Sequence, residues 1–253
     1  MKKVWLSLLL ITSSSLLGVT ADELQVAVAS NFSKPLEALA TVFKASSGHE
    51  LKISAASTGK LYTQIENGAP FEVLLSADSK TPKKLVDAQL AVAESQFTYA
   101  LGKLVLWSSQ KDYVDAQGEV LKKNEFKHLA IANPETAPYG AAAIEVLDKL
   151  GLTQTLAEKK VQGENISQTY EFVATGNADL GFVALSQVQK EGIVKEGSVW
   201  QVPDDYYAPI QQDAVLLTKA KDSAAAKSFL EFLKSPEAQK LISSYGYGLP
   251  KAQ

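Results

Sequence analysis

FTYALGKLVLWS, residues 97–108, is an apolar, strand-forming stretch longer than an ordinary β-strand of about five or six residues. A run of that length reads as a segment that leaves one sheet and enters another. Its counterpart, YYAPIQQDAVLLT at 206–218, has the same character and would carry the chain back. Around these two stretches strand and helix signals alternate, the pattern of an α/β fold with largely parallel sheets. The expected architecture is two lobes, each a mostly parallel sheet flanked by helices, joined by two crossovers near residues 102 and 207. Lobe 1 then comprises residues 22–102 with 208–253, and lobe 2 residues 103–207.

Outward from the crossovers, the first half reads as strands over 25–29, 51–55 and 73–76. Leu36, Leu39, Ala40, Val42 and Phe43 recur at helical spacing, with Pro35 in the first turn and Gly48 as the stop. Further helices are predicted over 61–67 and 82–88. The second half repeats the scheme, with strands at 128–132, from 161 and at 180–184, and helices over 141–150, 167–174 and 186–191. Two amphipathic helices, 224–234 and 236–245, end the chain.

Residues 1–21 read as a signal peptide. Lys2 and Lys3 precede an apolar run, and Val19-Thr20-Ala21 offers small residues for cleavage before Asp22. The run is short for a bilayer span and is broken by Ser13-Ser14-Ser15. Removing Lys2 and Lys3 from the 25 basic residues leaves 23 against 28 acidic ones, a net charge of −5. No basic run is present, so nucleic acid is not an expected partner. Cysteine is absent, which excludes a thiol nucleophile, cysteine zinc sites and a lipidated N-terminal cysteine. His49 and His128 stand far apart, each near a strand, and read as structural or solvated rather than as metal ligands.

Four segments share one design: an apolar strand, a turn of small or hydroxyl-bearing residues, then a helix start. They are QVAVA then Ser30-Asn31-Phe32, LKISAA then Ser57-Thr58-Gly59, HLAIANPETA then Pro138-Tyr139-Gly140, and KVQGE then Asn165-Ile166-Ser167. A helix start presents unpaired N–H groups and a partial positive charge, which together make an anion site without a cationic side chain. Pro138 at the first helical position leaves the Tyr139 N–H free, and Asn165 as a cap leaves that of Ile166 free. Gly59 would let the backbone approach a ligand. Ser57-Thr58-Gly59-Lys60 lacks the glycine spacing of a phosphate loop, and Lys60 reads as a solvated side chain. Ligands of open α/β sheets sit outside the carboxyl ends of the strands, where all four turns lie.

These groups are donors. A hydrogenated phosphate needs an acceptor as well, whereas a fully ionised tetrahedral dianion such as sulfate, molybdate or tungstate needs donors only. Asp78 in LLSAD is the nearest acceptor and reads as a helix cap.

At these residues the chain resembles the periplasmic molybdate-binding proteins of ABC importers, through VAVASNF, ASTGKLYTQIENGAP, LLSAD, TYALGKLVLW, NPETAPYG and ADLGFVAL. The resemblance covers nearly the whole chain after residue 21. It implies the type II periplasmic-binding fold, molybdate or tungstate as ligand rather than cofactor, a membrane permease as partner and no catalysis. A soluble monomer in the periplasm is expected. By position it implies that Ser30, Asn31 and Thr58 bind from one lobe and that the N–H groups of Tyr139 and Ile166 bind from the other. All act on the oxygens of the oxyanion, without direct metal ligation. Ala184 stands where some members place a ligand-binding tyrosine, which leaves the Asn31 side chain as a candidate for the missing donor.

Two other readings compete. Tyr206-Tyr207 resembles the paired tyrosines of ferric-ion carriers, and sulfate would suit the same donors. In a different class, Ser57 or Ser76 with Lys60 would serve a Ser–Lys hydrolase, but no Gly-x-Ser-x-Gly elbow is present.

Overall fold

The computed structural model describes residues 22–250; the expected signal segment at 1–21 lies outside them. The 97–108 stretch divides at Lys103. Its first part is β4 (Phe97–Gly102) of one sheet and its second is β5 (Leu104–Ser108) of the other. Sheet 1 also holds β1 (Glu23–Ala29), β2 (Glu50–Ala56), β3 (Val73–Leu75) and β12 (Ile210–Leu216), in the order β2-β1-β3-β12-β4. Sheet 2 holds β6 (Leu129–Ala132), β7 (Lys160–Gly163), β8 (Leu180–Ala184) and β11 (Ser198–Gln201), in the order β11-β5-β8-β6-β7. The protein is thus two lobes joined by two crossovers.

In each sheet four strands run one way and one runs against them, β12 in sheet 1 and β5 in sheet 2. Each exception is the strand that receives the chain from the other lobe. The parallel strands end at the cleft, so a strand that starts at the cleft must run in reverse.

The helices are α1 (Ser33–Ser47), α2 (Thr58–Glu66), α3 (Lys80–Asp87), α4 (Val120–Lys123), α5 (Pro138–Lys149), α6 (Ile166–Ala174), α7 (Leu185–Val188), α8 (Ala224–Lys234) and α9 (Pro236–Ser244). Both faces of each sheet are covered, which is why their strands read as near-continuous apolar runs. Val26 and Val28 pack with Leu36, Phe43, Phe229 and Ile242 on one face of sheet 1, while Ala27 and Leu74 meet Leu61 and Leu85 on the other. In lobe 2, Ile131 and Phe182 pack with Val146 and Leu147, and Ala130 and Val183 with Val173. The first of these lobe 2 clusters takes in Ala29 and Ala77 of lobe 1, so the two interiors meet at the cleft.

Two expected elements differ. The strand expected from 206 starts at Ile210, because Pro209 has no N–H for a ladder. The Tyr207 hydroxyl, 3.1 Å from the Leu104 N–H, accepts from it and ties the two crossovers together. The helix expected over 186–191 is the single turn α7, followed by a small hairpin of β9 (Gln189–Lys190) and β10 (Ile193–Val194). Glu191 and Gly192 both have positive φ, the conformation of a two-residue hairpin turn, and no helix passes through it.

Candidate functional site

The four turns converge on one pocket between the lobes, about 190 Å³ with its mouth included. It is lined by Ala29, Ser30, Asn31, Ala56, Ser57, Thr58, Ala77, Ala137, Pro138, Tyr139 and Ile166. All five residues singled out from the sequence are among them. No carboxylate, lysine or histidine belongs to the lining, and the chain contains no arginine.

Each turn follows the carboxyl end of a parallel strand. After β1 a single 3-10 turn, Ser30–Phe32, leads into α1, so the Ser30 and Asn31 N–H groups precede the first intrahelical bonds. Thr58 opens α2, whose first helical bond runs from Leu61 N–H to Ser57 O. In α5 the first bonded amide is Gly140, donating to Ala137 O, and Tyr139 N–H precedes it. In α6 the Asn165 side chain caps the amides of Ser167 and Gln168 and leaves Ile166 N–H ahead of both. Free amides of four helix starts, two from each lobe, thus surround the pocket, and their partial charges favour an anion.

The side chains are less uniform than the sequence suggests. Thr58 Oγ1 accepts from Ala77 N–H at 3.1 Å and keeps its own proton to donate. Ser57, from the same turn, also lines the pocket. The Ser30 hydroxyl donates to Asn165 Oδ1 across the cleft at 3.2 Å. That oxygen already accepts two backbone amides, so a ligand can take the serine proton at little cost. The Asn31 side chain differs from its expected role. Its Nδ2 donates to Gln212 Oε1 at 2.7 Å and to Tyr247 Oη at 2.9 Å, which engages both amide protons away from the pocket. Asn31 therefore offers the pocket its backbone N–H.

Gly59 also differs in its reason. A Cβ there would lie 3.1 Å from Thr136 Cα, and Gly59 N–H donates to Thr136 O at 2.9 Å. The glycine admits the opposite lobe, not a ligand. Asp78 accepts from Thr81 N–H at 2.7 Å and from the Thr81 and Ser76 hydroxyls, closing the start of α3 as a cap. Lys60 forms an exposed 3.6 Å ion pair with Glu164 across the cleft mouth. Such pairs contribute little in water.

Beneath the pocket, burial pushes the hydroxyls of Tyr99 and Tyr139 well above the usual tyrosine range and that of Tyr247 up to about 12. They remain neutral. Tyr206 packs edge-on against Trp200, and neither it nor Tyr207 lines the pocket. His49 is buried and accepts from Asp22 N–H, while His128 is exposed.

Two five-stranded lobes joined by paired crossovers, with a donor-lined pocket between them, define a solute-binding protein. The chain belongs to the bacterial extracellular solute-binding protein family, whose model matches residues 24–248. It is 58% identical over 229 residues to the molybdate-binding protein ModA of Azotobacter vinelandii, covering 90% of this chain and 91% of that one. It is 54% identical over 232 residues to ModA of Rhodobacter capsulatus, covering 91% and 90%. The solved structure of the Azotobacter vinelandii periplasmic molybdate-binding protein superposes with a TM-score of 0.88 at 45% identity, over 90% of this chain and all of that one.

Proposed function

We propose that this protein binds molybdate in the interlobe pocket and delivers it to the membrane permease of an ABC importer. It is a binder, not an enzyme. The observation that carries the reading is the pocket's lining: amides and hydroxyls from four helix starts, with no cation and no free carboxylate. Such a lining solvates a fully ionised tetrahedral dianion and gives a hydrogenated phosphate no acceptor. The donors are the N–H groups of Asn31, Thr58, Tyr139 and Ile166 with the hydroxyls of Ser30 and Thr58. They act on the oxygens, so the metal atom has no protein ligand. Hydrogen bonds to a charged group contribute about 1.5–3 kcal/mol each. Around six of them, less dehydration and closure, leave on the order of 8–12 kcal/mol, a micromolar to nanomolar affinity.

Tungstate, with the same charge and shape, binds the same donors. The protein is exported by its first 21 residues, acts as a soluble monomer in the periplasm and closes by moving residues 22–102 with 208–253 against 103–207.

Calorimetry with molybdate, tungstate, sulfate and phosphate tests the reading. Molybdate and tungstate should bind at micromolar affinity or better and phosphate should not bind. Thr58→Val should weaken molybdate binding by about 1–3 kcal/mol while Thr58→Ser preserves it. Equal affinity for Thr58→Val would remove the Thr58 hydroxyl from the donors, and absence of molybdate binding to the native protein would end the reading.

A further inference from the structure

The Asn31 side chain, turned away from the pocket, enters a buried hydrogen-bond cluster that reaches the other lobe and both crossovers. Tyr247 is its centre. Its hydroxyl lies 2.9 Å from Asn31 O, 2.9 Å from Asn31 Nδ2 and 2.9 Å from Ser186 Oγ. The hydroxyl accepts from Asn31 Nδ2 and reaches Asn31 O as a donor, an acceptor it shares with Ser186 Oγ; in the Tyr247–Ser186 contact either oxygen can donate.

Each partner belongs to a different part of the machine. Asn31 is in the first anion turn. Ser186 is the second residue of α7, directly after β8 in lobe 2, and its hydroxyl is also 3.2 Å from Asn31 O. Gln212, which accepts the other Asn31 amide proton, is on the strand that leaves the second crossover. The segment carrying Tyr247 is pinned beside the first crossover, where Leu101 and Gly248 exchange backbone hydrogen bonds at 2.8 and 2.9 Å. The Tyr247 ring packs edge-on against Phe32 of the same anion turn, with centroids 5.3 Å apart. Asn31, Phe32, Ser186, Gln212 and Tyr247 are all buried.

We propose that Tyr247 is a positioning residue for the oxyanion. Its hydroxyl holds the Asn31 side chain and C=O and, through Ser186, makes lobe closure and the setting of the first anion turn one event. The contacts hold the Asn31 side chain and C=O on one side of its Cα, which restrains the adjoining Ser30–Asn31 peptide, the one that carries the Asn31 N–H, as the lobes meet. Without the hydroxyl, closure would no longer set the turn, and bound anion would escape faster. The inference rests on molybdate being the ligand.

The test is molybdate affinity by calorimetry, release rate by stopped flow and melting temperature with and without molybdate, for Tyr247→Phe, Ser186→Ala and their combination. Tyr247→Phe keeps the ring against Phe32. The expected result is about tenfold weaker binding for Tyr247→Phe, mostly through faster release, and a smaller ligand-induced rise in melting temperature. Ser186→Ala should weaken binding less, and the double variant should be no weaker than Tyr247→Phe, because both act through one link. Loss of apo stability alone, with affinity within about twofold of the native protein, would overturn the proposal and leave the hydroxyl a packing feature. So would additive losses in the double variant. Should Tyr247→Phe not fold, unchanged release in Ser186→Ala overturns it alone. Native protein that binds no molybdate would defeat the functional reading itself, whereas native binding with unaffected variants defeats only this inference.

Discussion

In the proposed reading Tyr139 serves the pocket through its main chain alone. Its N–H is free because Pro138 precedes it at the helix start, while its ring is buried and its hydroxyl has no hydrogen-bond partner. A Cβ on Gly102 would lie 2.2 Å from that oxygen, so the crossover glycine is fixed by the tyrosine it lies against. An unpartnered buried hydroxyl costs about 1–3 kcal/mol. Tyr139→Phe should therefore leave molybdate affinity within about twofold and raise or preserve the melting temperature; a large loss of affinity would show the ring oxygen at work. Gly102→Ala should destabilise, and Tyr139→Phe in the same chain should recover part of that loss. Asn31 is the opposite case. Its side chain is committed to Gln212 and Tyr247, so Asn31→Ala should lower apo stability as well as affinity.

At the scale of elements, the helix caps divide the labour between fold and ligand. Asn165 Oδ1 satisfies two amides of α6 and holds the Ser30 hydroxyl of the opposite lobe. Asn165→Ala should cost about 1 kcal/mol of stability as a lost cap, and Asn165→Asp should keep the cap but weaken molybdate binding by setting a carboxylate beside a dianion. Equal affinity for the aspartate variant, measured by calorimetry, would mean that the cap lies outside the field of the site. These caps were legible in the sequence because a cap, a strand and a helical period are local patterns. So was the break at Lys103 between two sheets, from the length of the apolar stretch. The direction of the Asn31 amide was not legible, since it depends on residues 186, 212 and 247, which are far away along the chain. The hairpin at β9 and β10 was hidden for a different reason. LSQVQKEG has a passable helical pattern, and only the left-handed conformation of Glu191 and Gly192 decides against it.

For the molecule as a whole, the charge balance opposes the ligand, and this has a measurable sign. The chain carries 28 acidic against 25 basic residues and no arginine, yet no acid or base lines the pocket. A site built on cations loses affinity as salt screens the attraction. Here salt screens repulsion between a negative protein and a dianion, so molybdate association should quicken slightly between low and physiological ionic strength, with affinity unchanged or improved. Lys60→Ala should change affinity by less than about 1 kcal/mol, because its pair with Glu164 is exposed. A strong fall in affinity with salt, or with Lys60→Ala, would place a cation in the site. The same lining fixes the pH response. No pocket side chain titrates near neutrality, so affinity should be flat from about pH 6 to pH 9, where molybdate keeps its charge and free tyrosine its proton. The buried tyrosines set the alkaline limit. Tyr247 is raised from the unfolded value of 10 to about 12, so its contribution to stability is complete below pH 10 and declines as pH rises towards 12. Because that hydroxyl also holds Asn31, molybdate binding and stability should fall together across that interval. In Tyr247→Phe, the part of the decline that belongs to this group should disappear.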